Sequence, residues 1–127
     1  MLAQARGLPD GHRHVRGFVE VPRAAVTAGA DQLCLGDTIG TTTPVRVVQL
    51  LDAVHRACPG VPLGVHFHDT RGTGQANALA AVQAGVTQLD SSIGGLGGCP
   101  FAPGASGNIA TEELVYMLEE SGVHTGL

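Results

Sequence analysis

The sequence predicts an α/β protein built on a parallel sheet, and two observations carry that prediction. Short apolar segments that end in polar turns alternate with longer segments that have the periodicity of helices. The alternation repeats roughly every 25–30 residues, about the length of one strand and its crossover helix. The chain has 127 residues, whereas an eight-unit (β/α)8 barrel typically takes about 250. We therefore expect three to four units, about half of such a barrel, with a small open doubly wound sheet as the alternative.

The domain is expected to occupy residues 21–127, after a poorly patterned N-terminal segment, residues 1–20. A short helix at its start is predicted to end before Gly29, since glycine commonly ends a helix. The first strand is Gln32–Gly36, whose apolar run indicates a buried strand. It leads into the polar turn Asp37–Gly40.

Further strands and helices follow in alternation. A helix is predicted to begin at Thr43-Pro44, with threonine as the N-cap and proline at the first helical position. The remaining elements are a strand at Val61–His66, a helix at Gln75–Ala84, a strand at Val86–Asp90, and a last helix from Thr111, whose hydroxyl is expected to cap it.

Composition excludes several classes of partner. Hydrophobic residues make up 43% of the chain, and the net charge is −4 without a basic cluster, so neither nucleic acid nor a membrane surface is an expected partner. No apolar run approaches the roughly 20 residues of a membrane span, and the N-terminus has no apolar stretch typical of a secretory signal. Cys34, Cys58 and Cys99 form no CxxC pair, which favours a reducing compartment, and we expect a cytoplasmic location.

Polar side chains collect where the predicted strands end. Because the carboxyl ends of parallel strands meet on one side of a sheet, such residues are expected to share one rim. His66 and His68 lie two residues apart, so strand alternation directs them to the same face. The candidates at this rim are Asp37, His66, His68, Asp90, Cys99 and Asn108.

Each candidate also has an ordinary structural interpretation. A His-x-His pair is more often structural than a ligand set, an acid at a strand end often caps a turn, and a cysteine in a glycine-rich loop is usually inert. Their common placement is what favours a site. Two imidazoles with amide or carboxylate oxygens, and no thiolate framework, suit Mg²⁺, Mn²⁺ or Zn²⁺.

Four motifs together resemble the hydroxymethylglutaryl-CoA lyase family, over about residues 30–127. They are Gly36-Asp37-Thr38-Ile39-Gly40, His66-Phe67-His68-Asp69-Thr70-Arg71-Gly72, the loop Gly94–Asn108 with its Gly-Gly-Cys-Pro, and Ala110–Leu118. The wider superfamily of metal-dependent aldolase-like barrels, including isopropylmalate and homocitrate synthases, shares the histidine pair. Those synthases usually have Asn-Asp after the second histidine, so His68-Asp69-Thr70 and Cys99 favour the lyase.

The resemblance implies a carbon–carbon lyase that cleaves 3-hydroxy-3-methylglutaryl-CoA, a small-molecule acyl-CoA, to acetoacetate and acetyl-CoA. It implies that His66, His68 and Asn108 bind Mg²⁺ or Mn²⁺ and that Cys99 is the catalytic thiol of a mobile loop. Asp37 matches an active-site acid, so Asp37 or His66 is the expected base. Residues 21–127 then form a partial pyruvate carboxyltransferase/HMGL-like barrel domain, and a homo-oligomer is possible. No residues that bind coenzyme A are identified.

The sequence departs from the family pattern near its start. No Arg-Asp pair, the family's catalytic arginine and aspartate ligand, precedes His66. The chain therefore resembles the C-terminal half of a lyase, and we expect negligible turnover from it alone. Two alternatives remain: a non-catalytic barrel remnant that associates through open sheet edges, or another acyl-CoA lyase or Claisen-type member of the same superfamily.

Overall fold

A three-stranded parallel sheet organises the protein. The computed structural model describes residues 18–98 and 104–127. The strands are β1 (Leu33–Asp37), β2 (Leu63–Phe67) and β3 (Gln88–Asp90), and they are adjacent in chain order. Both pairings are parallel, which confirms the predicted α/β class.

Helices alternate with the strands, as the periodicity predicts. They are α1 (Glu20–Thr27), α2 (Pro44–Ala57), α3 (Gly74–Gln83) and α4 (Thr111–Glu120), with a short 3₁₀ turn at Ile93–Gly95. Strand β3 starts later than the predicted Val86 because the Val86 N–H donates to the Ala81 carbonyl at 3.0 Å. That bond closes the end of α3, so Val86 is not available to the sheet ladder.

The prediction that threonine hydroxyls cap two of the helices is wrong. Thr43 holds the N-cap position of α2, but its hydroxyl makes no capping hydrogen bond. The N-cap of α4 is Ala110 rather than Thr111. The hydroxyls of Thr111 and Ser91 lie 2.8 Å apart instead. This contact ties the start of α4 to the end of β3, which a local capping rule does not anticipate.

The two faces of the sheet differ in character. One face is apolar, and Leu63, Val65 and Phe67 of β2 lie there in the core, where β2 contacts α3 and α3 contacts α2. The core also contains Val47, Leu51, Val54, Ala78, Ala81, Ile109, Leu114 and Leu118. The opposite face is polar and accessible, and a hydrogen bond from Gln32 Nε2 to Gln88 Oε1 crosses it. Cys34, His66 and Asp90 share this second face by register.

Among the described residues, the helices are all too short or too polar to cross a lipid bilayer.

Candidate active site at the carboxyl end of the sheet

The two histidines of the His-x-His motif lie side by side, as strand alternation predicts. His66 belongs to β2 and His68 follows its last residue. Their ring centroids are 4.9 Å apart, and the rings are inclined at 68°. His68 is 8% exposed, and its buried Nδ1 atom has no hydrogen-bond partner among the residues that the structure describes. Because buried polar atoms are normally paired, this nitrogen is suited to a ligand or water.

Asn108 reaches the histidines through the main chain. Residues His68 and Asn108 form an isolated antiparallel bridge. Residues 107–109 thus run beside the end of β2 and add one isolated bridge to it. The flanking hydrogen bonds run from Asp69 N–H to Gly107 C=O at 2.8 Å and from Ile109 N–H to Phe67 C=O at 3.2 Å.

The side-chain amide of Asn108 has a defined orientation. Its Nδ2 donates to the Leu96 carbonyl at 2.9 Å, which leaves the amide oxygen as the atom with ligand chemistry. The loop needs glycine at Gly107, where φ is 92° and a Cβ atom would come within 1.8 Å of the Gly97 carbonyl oxygen. The close approach of two loop segments therefore places Asn108.

Asp90 contacts His66 across the β2–β3 pairing. The two residues are partners in the parallel register, and Asp90 Oδ1 lies 2.5 Å from His66 Nδ1. The sequence places Asp90 at the rim but assigns it no role. The signal for this contact was its position at the end of the strand next to the histidine strand.

The structure gives Asp37 a local set of partners. Its carboxylate accepts hydrogen bonds from the N–H groups of Thr41, at 3.3 Å, and Thr42, at 3.0 Å. By register it shares a face with Phe67 rather than with His66. Asp37 therefore shapes the turn that leads into α2, and its catalytic role stays a prediction.

Cys99, the predicted catalytic thiol, lies outside the described residues, and its role also stays a prediction. A different cysteine, Cys34, lies on the polar sheet face. Partial burial, and secondarily the negative charge of Asp90, raise the pKa of its thiol. Since reactive cysteines need a lowered pKa, Cys34 lacks the character of a nucleophile.

The donors at this rim fit part of a divalent cation site. His66, His68 and Asn108 come from two chain segments joined by the bridge. In residues 18–98 and 104–127, no group of three His, Cys, Asp or Glu side chains is placed to hold a metal ion. Because Mg²⁺ and Mn²⁺ prefer about six mostly oxygen ligands, these three side chains could supply only some of the ligands of such an ion.

A family model described as HMGL-like matches residues 9–127. The chain belongs to the HMGL-like family. Mitochondrial hydroxymethylglutaryl-CoA lyase from Homo sapiens is 53% identical to this HMGL-like chain over 124 residues. That match covers 97% of the chain and 38% of the human protein. The chain thus spans less than two fifths of the length of this curated relative.

Solved structures support the barrel interpretation for the HMGL-like chain. The lyase from Bacillus subtilis superposes with a TM-score of 0.81 at 43% identity, covering 96% of this chain and 39% of that one. An Acinetobacter baumannii lyase, solved with coenzyme A and 3-methylmalate, gives 0.77 at 45% identity, covering 90% and 36%. The three-stranded sheet is therefore part of a (β/α)8 barrel, not a doubly wound sheet.

Proposed function

We propose that this chain carries part of the active site of a carbon–carbon lyase that converts 3-hydroxy-3-methylglutaryl-CoA to acetoacetate and acetyl-CoA. The observation that supports it is the bridge that sets Asn108 beside His68. A histidine pair alone has many uses. The combination here is more specific, because the histidine pair is joined to an asparagine from a glycine-rich loop. The chain that carries it is 53% identical to a lyase.

In this proposal, His66, His68 and Asn108 hold Mg²⁺ or Mn²⁺. When bound, such an ion supplies a positive charge that orients the hydroxyl and carboxylate oxygens of the substrate and acidifies the hydroxyl. The chain contributes two ring nitrogens and one amide oxygen. Such an ion would need further oxygen ligands besides these three.

Two proton transfers complete the reaction. A base must remove the hydroxyl proton as the carbon–carbon bond breaks, and the proposed acceptor is Asp37, or His66 if its bond to the ion is labile. The fragment that leaves is an enolate of acetyl-CoA, which needs a proton on carbon. Cys99 is the proposed donor, since a thiol with an ordinary pKa of about 8.5 is protonated at neutral pH.

The proposal also covers the substrate class, the cellular location and self-association. The Acinetobacter baumannii relative was solved with coenzyme A, which supports an acyl-CoA substrate. Cys34 and Cys58 are free thiols, which is compatible with a reducing, cytoplasmic location. Association with a second copy is proposed only through the open edges of the sheet.

A chimera tests the function directly. Residues 30–127 replace the matching segment of the Bacillus subtilis lyase, and acetoacetate release from 3-hydroxy-3-methylglutaryl-CoA is measured with Mn²⁺. We expect activity that His68→Ala and Asn108→Ala abolish and that Asp52→Asn, at an exposed helical ion pair, leaves unchanged. A folded chimera without activity would overturn the proposal.

The isolated chain is a second test. We expect negligible acetoacetate release from it, because the described residues supply only part of a cation site. Release that is lost in Cys99→Ala would contradict that expectation, and it would show that the chain completes the site by itself.

A further inference from the structure

The contact between Asp90 and His66 fixes which ring nitrogen of His66 carries the hydrogen. An ionised carboxylate has only acceptor atoms, so the ring nitrogen that faces it must carry the hydrogen. The facing atom is Nδ1, at 2.5 Å from Asp90 Oδ1. For a neutral imidazole, this places the hydrogen on Nδ1 and leaves the lone pair on Nε2.

The surrounding structure restrains the rings of His66 and His68 in different ways. His68 is enclosed, at 8% exposure, and within residues 18–98 and 104–127 its Nδ1 atom has no hydrogen-bond partner. His66 is more open, with 32% of its side chain exposed, so packing alone does not fix its ring. The carboxylate of Asp90, delivered by the β2–β3 register, supplies the missing constraint.

We propose that Asp90 is a positioning residue that holds His66 in the tautomer with its hydrogen on Nδ1, so that Nε2 is the nitrogen offered to a cation. The proposal rests on the proposed function, because it gives His66 its ligand atom. Carboxylate–histidine pairs of this kind orient ligand rings in metal sites, and their loss typically weakens metal binding by roughly 10- to 100-fold.

The contact between Asp90 and His66 contributes more to the orientation of the His66 ring than to the stability of the fold. Asp90 has 62% of its side chain exposed, and exposed ion pairs contribute little to folding. Replacement of Asp90 is therefore expected to leave the chain folded. This separates a positioning role from a structural one.

Nitrogen NMR of the metal-free chain tests the tautomer. The ¹⁵N shifts of His66 Nδ1 and Nε2 are measured at about pH 9, above the ordinary imidazole pKa of about 6.5, and are assigned with His66→Gln. In the wild type we expect a protonated Nδ1. In Asp90→Ala we expect the hydrogen to move to Nε2, and in Asp90→Glu to return to Nδ1. Asp52→Ala is the control for loss of an exposed carboxylate. A wild-type-like tautomer in Asp90→Ala would overturn the proposal.

Mn²⁺ binding by the same variants supplies the second readout. We expect Asp90→Ala to weaken binding by roughly 10- to 100-fold, with recovery in Asp90→Glu and no change in Asp52→Ala. Unchanged affinity in a folded Asp90→Ala variant counts against the proposal. If the isolated wild-type chain binds no Mn²⁺, the same variants are compared in the chimera, whose activity decides the proposed function, while the NMR result decides whether Asp90 sets the tautomer of His66.

Discussion

Asn108 is held opposite His68 by an antiparallel bridge in a sheet whose strands are otherwise parallel. Residues 107–109 therefore extend the pairing beyond the end of β2 by one isolated bridge. This pairing joins the two segments that the sequence motifs mark separately. Its geometry depends on Gly107, which packs against the Gly97 carbonyl.

Replacing Gly107 should disrupt the bridge. In Gly107→Ala, the new Cβ atom would lie 1.8 Å from the Gly97 carbonyl oxygen at a φ of 92°, so the loop must move. We expect a loss of about 1–3 kcal/mol in the free energy of unfolding and a loss of Mn²⁺ binding. Urea denaturation and calorimetric titration measure the two effects.

Gly104→Ala is the matched control for Gly107→Ala. Its φ is 83°, but a Cβ atom there meets no described residue within 4 Å, so in the described part of the chain only the backbone preference changes. Equal losses of unfolding free energy and of Mn²⁺ binding in both variants would show that the close approach of Gly107 to Gly97 does not determine either.

The stability of the C-terminal turn should depend on pH through Glu119. Its carboxylate accepts hydrogen bonds from the backbone N–H of Thr125 at 2.6 Å, from the Thr125 hydroxyl at 2.7 Å and from His124 Nδ1 at 3.2 Å. These bonds, led by the Thr125 N–H, lower the pKa of Glu119. A carboxyl with a lowered folded pKa stabilises the protein above its unfolded pKa, about 4.3, and that contribution disappears as pH falls through the folded value.

Glu119→Gln should therefore flatten the dependence of unfolding free energy on pH in the acid range below about pH 5. Urea denaturation at a series of pH values measures this. Glu120→Gln, at an exposed position of the same helix, is the control. An unchanged acid profile in Glu119→Gln would contradict the assignment.

The Cys34 thiol should alkylate slowly near neutral pH. Partial burial, and then the charge of Asp90, raise its pKa, and only the thiolate reacts. We expect its reaction with iodoacetamide at about pH 8 to be slower than in the urea-unfolded chain. Asp90→Ala should increase the rate and Asp52→Ala should not. Peptide mass spectrometry gives the rate for each cysteine, and an identical Cys34 rate in wild type and Asp90→Ala would argue against the effect of Asp90.

Self-association should occur through the sheet edges. In residues 18–98 and 104–127, β1 and β3 each pair on one side only, and unpaired strand edges promote association. We expect light scattering after size-exclusion chromatography to give a mass above that of the 12.9 kDa monomer. Gln88→Lys places a charge on the β3 edge and should reduce the mass, whereas Gln83→Lys, exposed on α3, should not. A clean monomer with cooperative unfolding would contradict this expectation.

The sequence alone determined the order of the helices and strands and the location of the candidate site residues at the carboxyl ends of the strands. Alternating apolar and helical segments predicted the parallel sheet, and the spacing of His66 and His68 predicted their common face, because both patterns are local. The motifs around Cys99 and Asn108 indicated the family for the same reason: they need only the order of residues.

The tertiary structure decided how those residues relate to each other. It directs the Asp37 carboxylate to the N–H groups of the following turn, brings Asn108 to His68 through a returning loop, and sets Asp90 against His66 through the strand register. These relations are non-local. They depend on strand register and on the close packing of loop glycines, which periodicity along one segment does not encode.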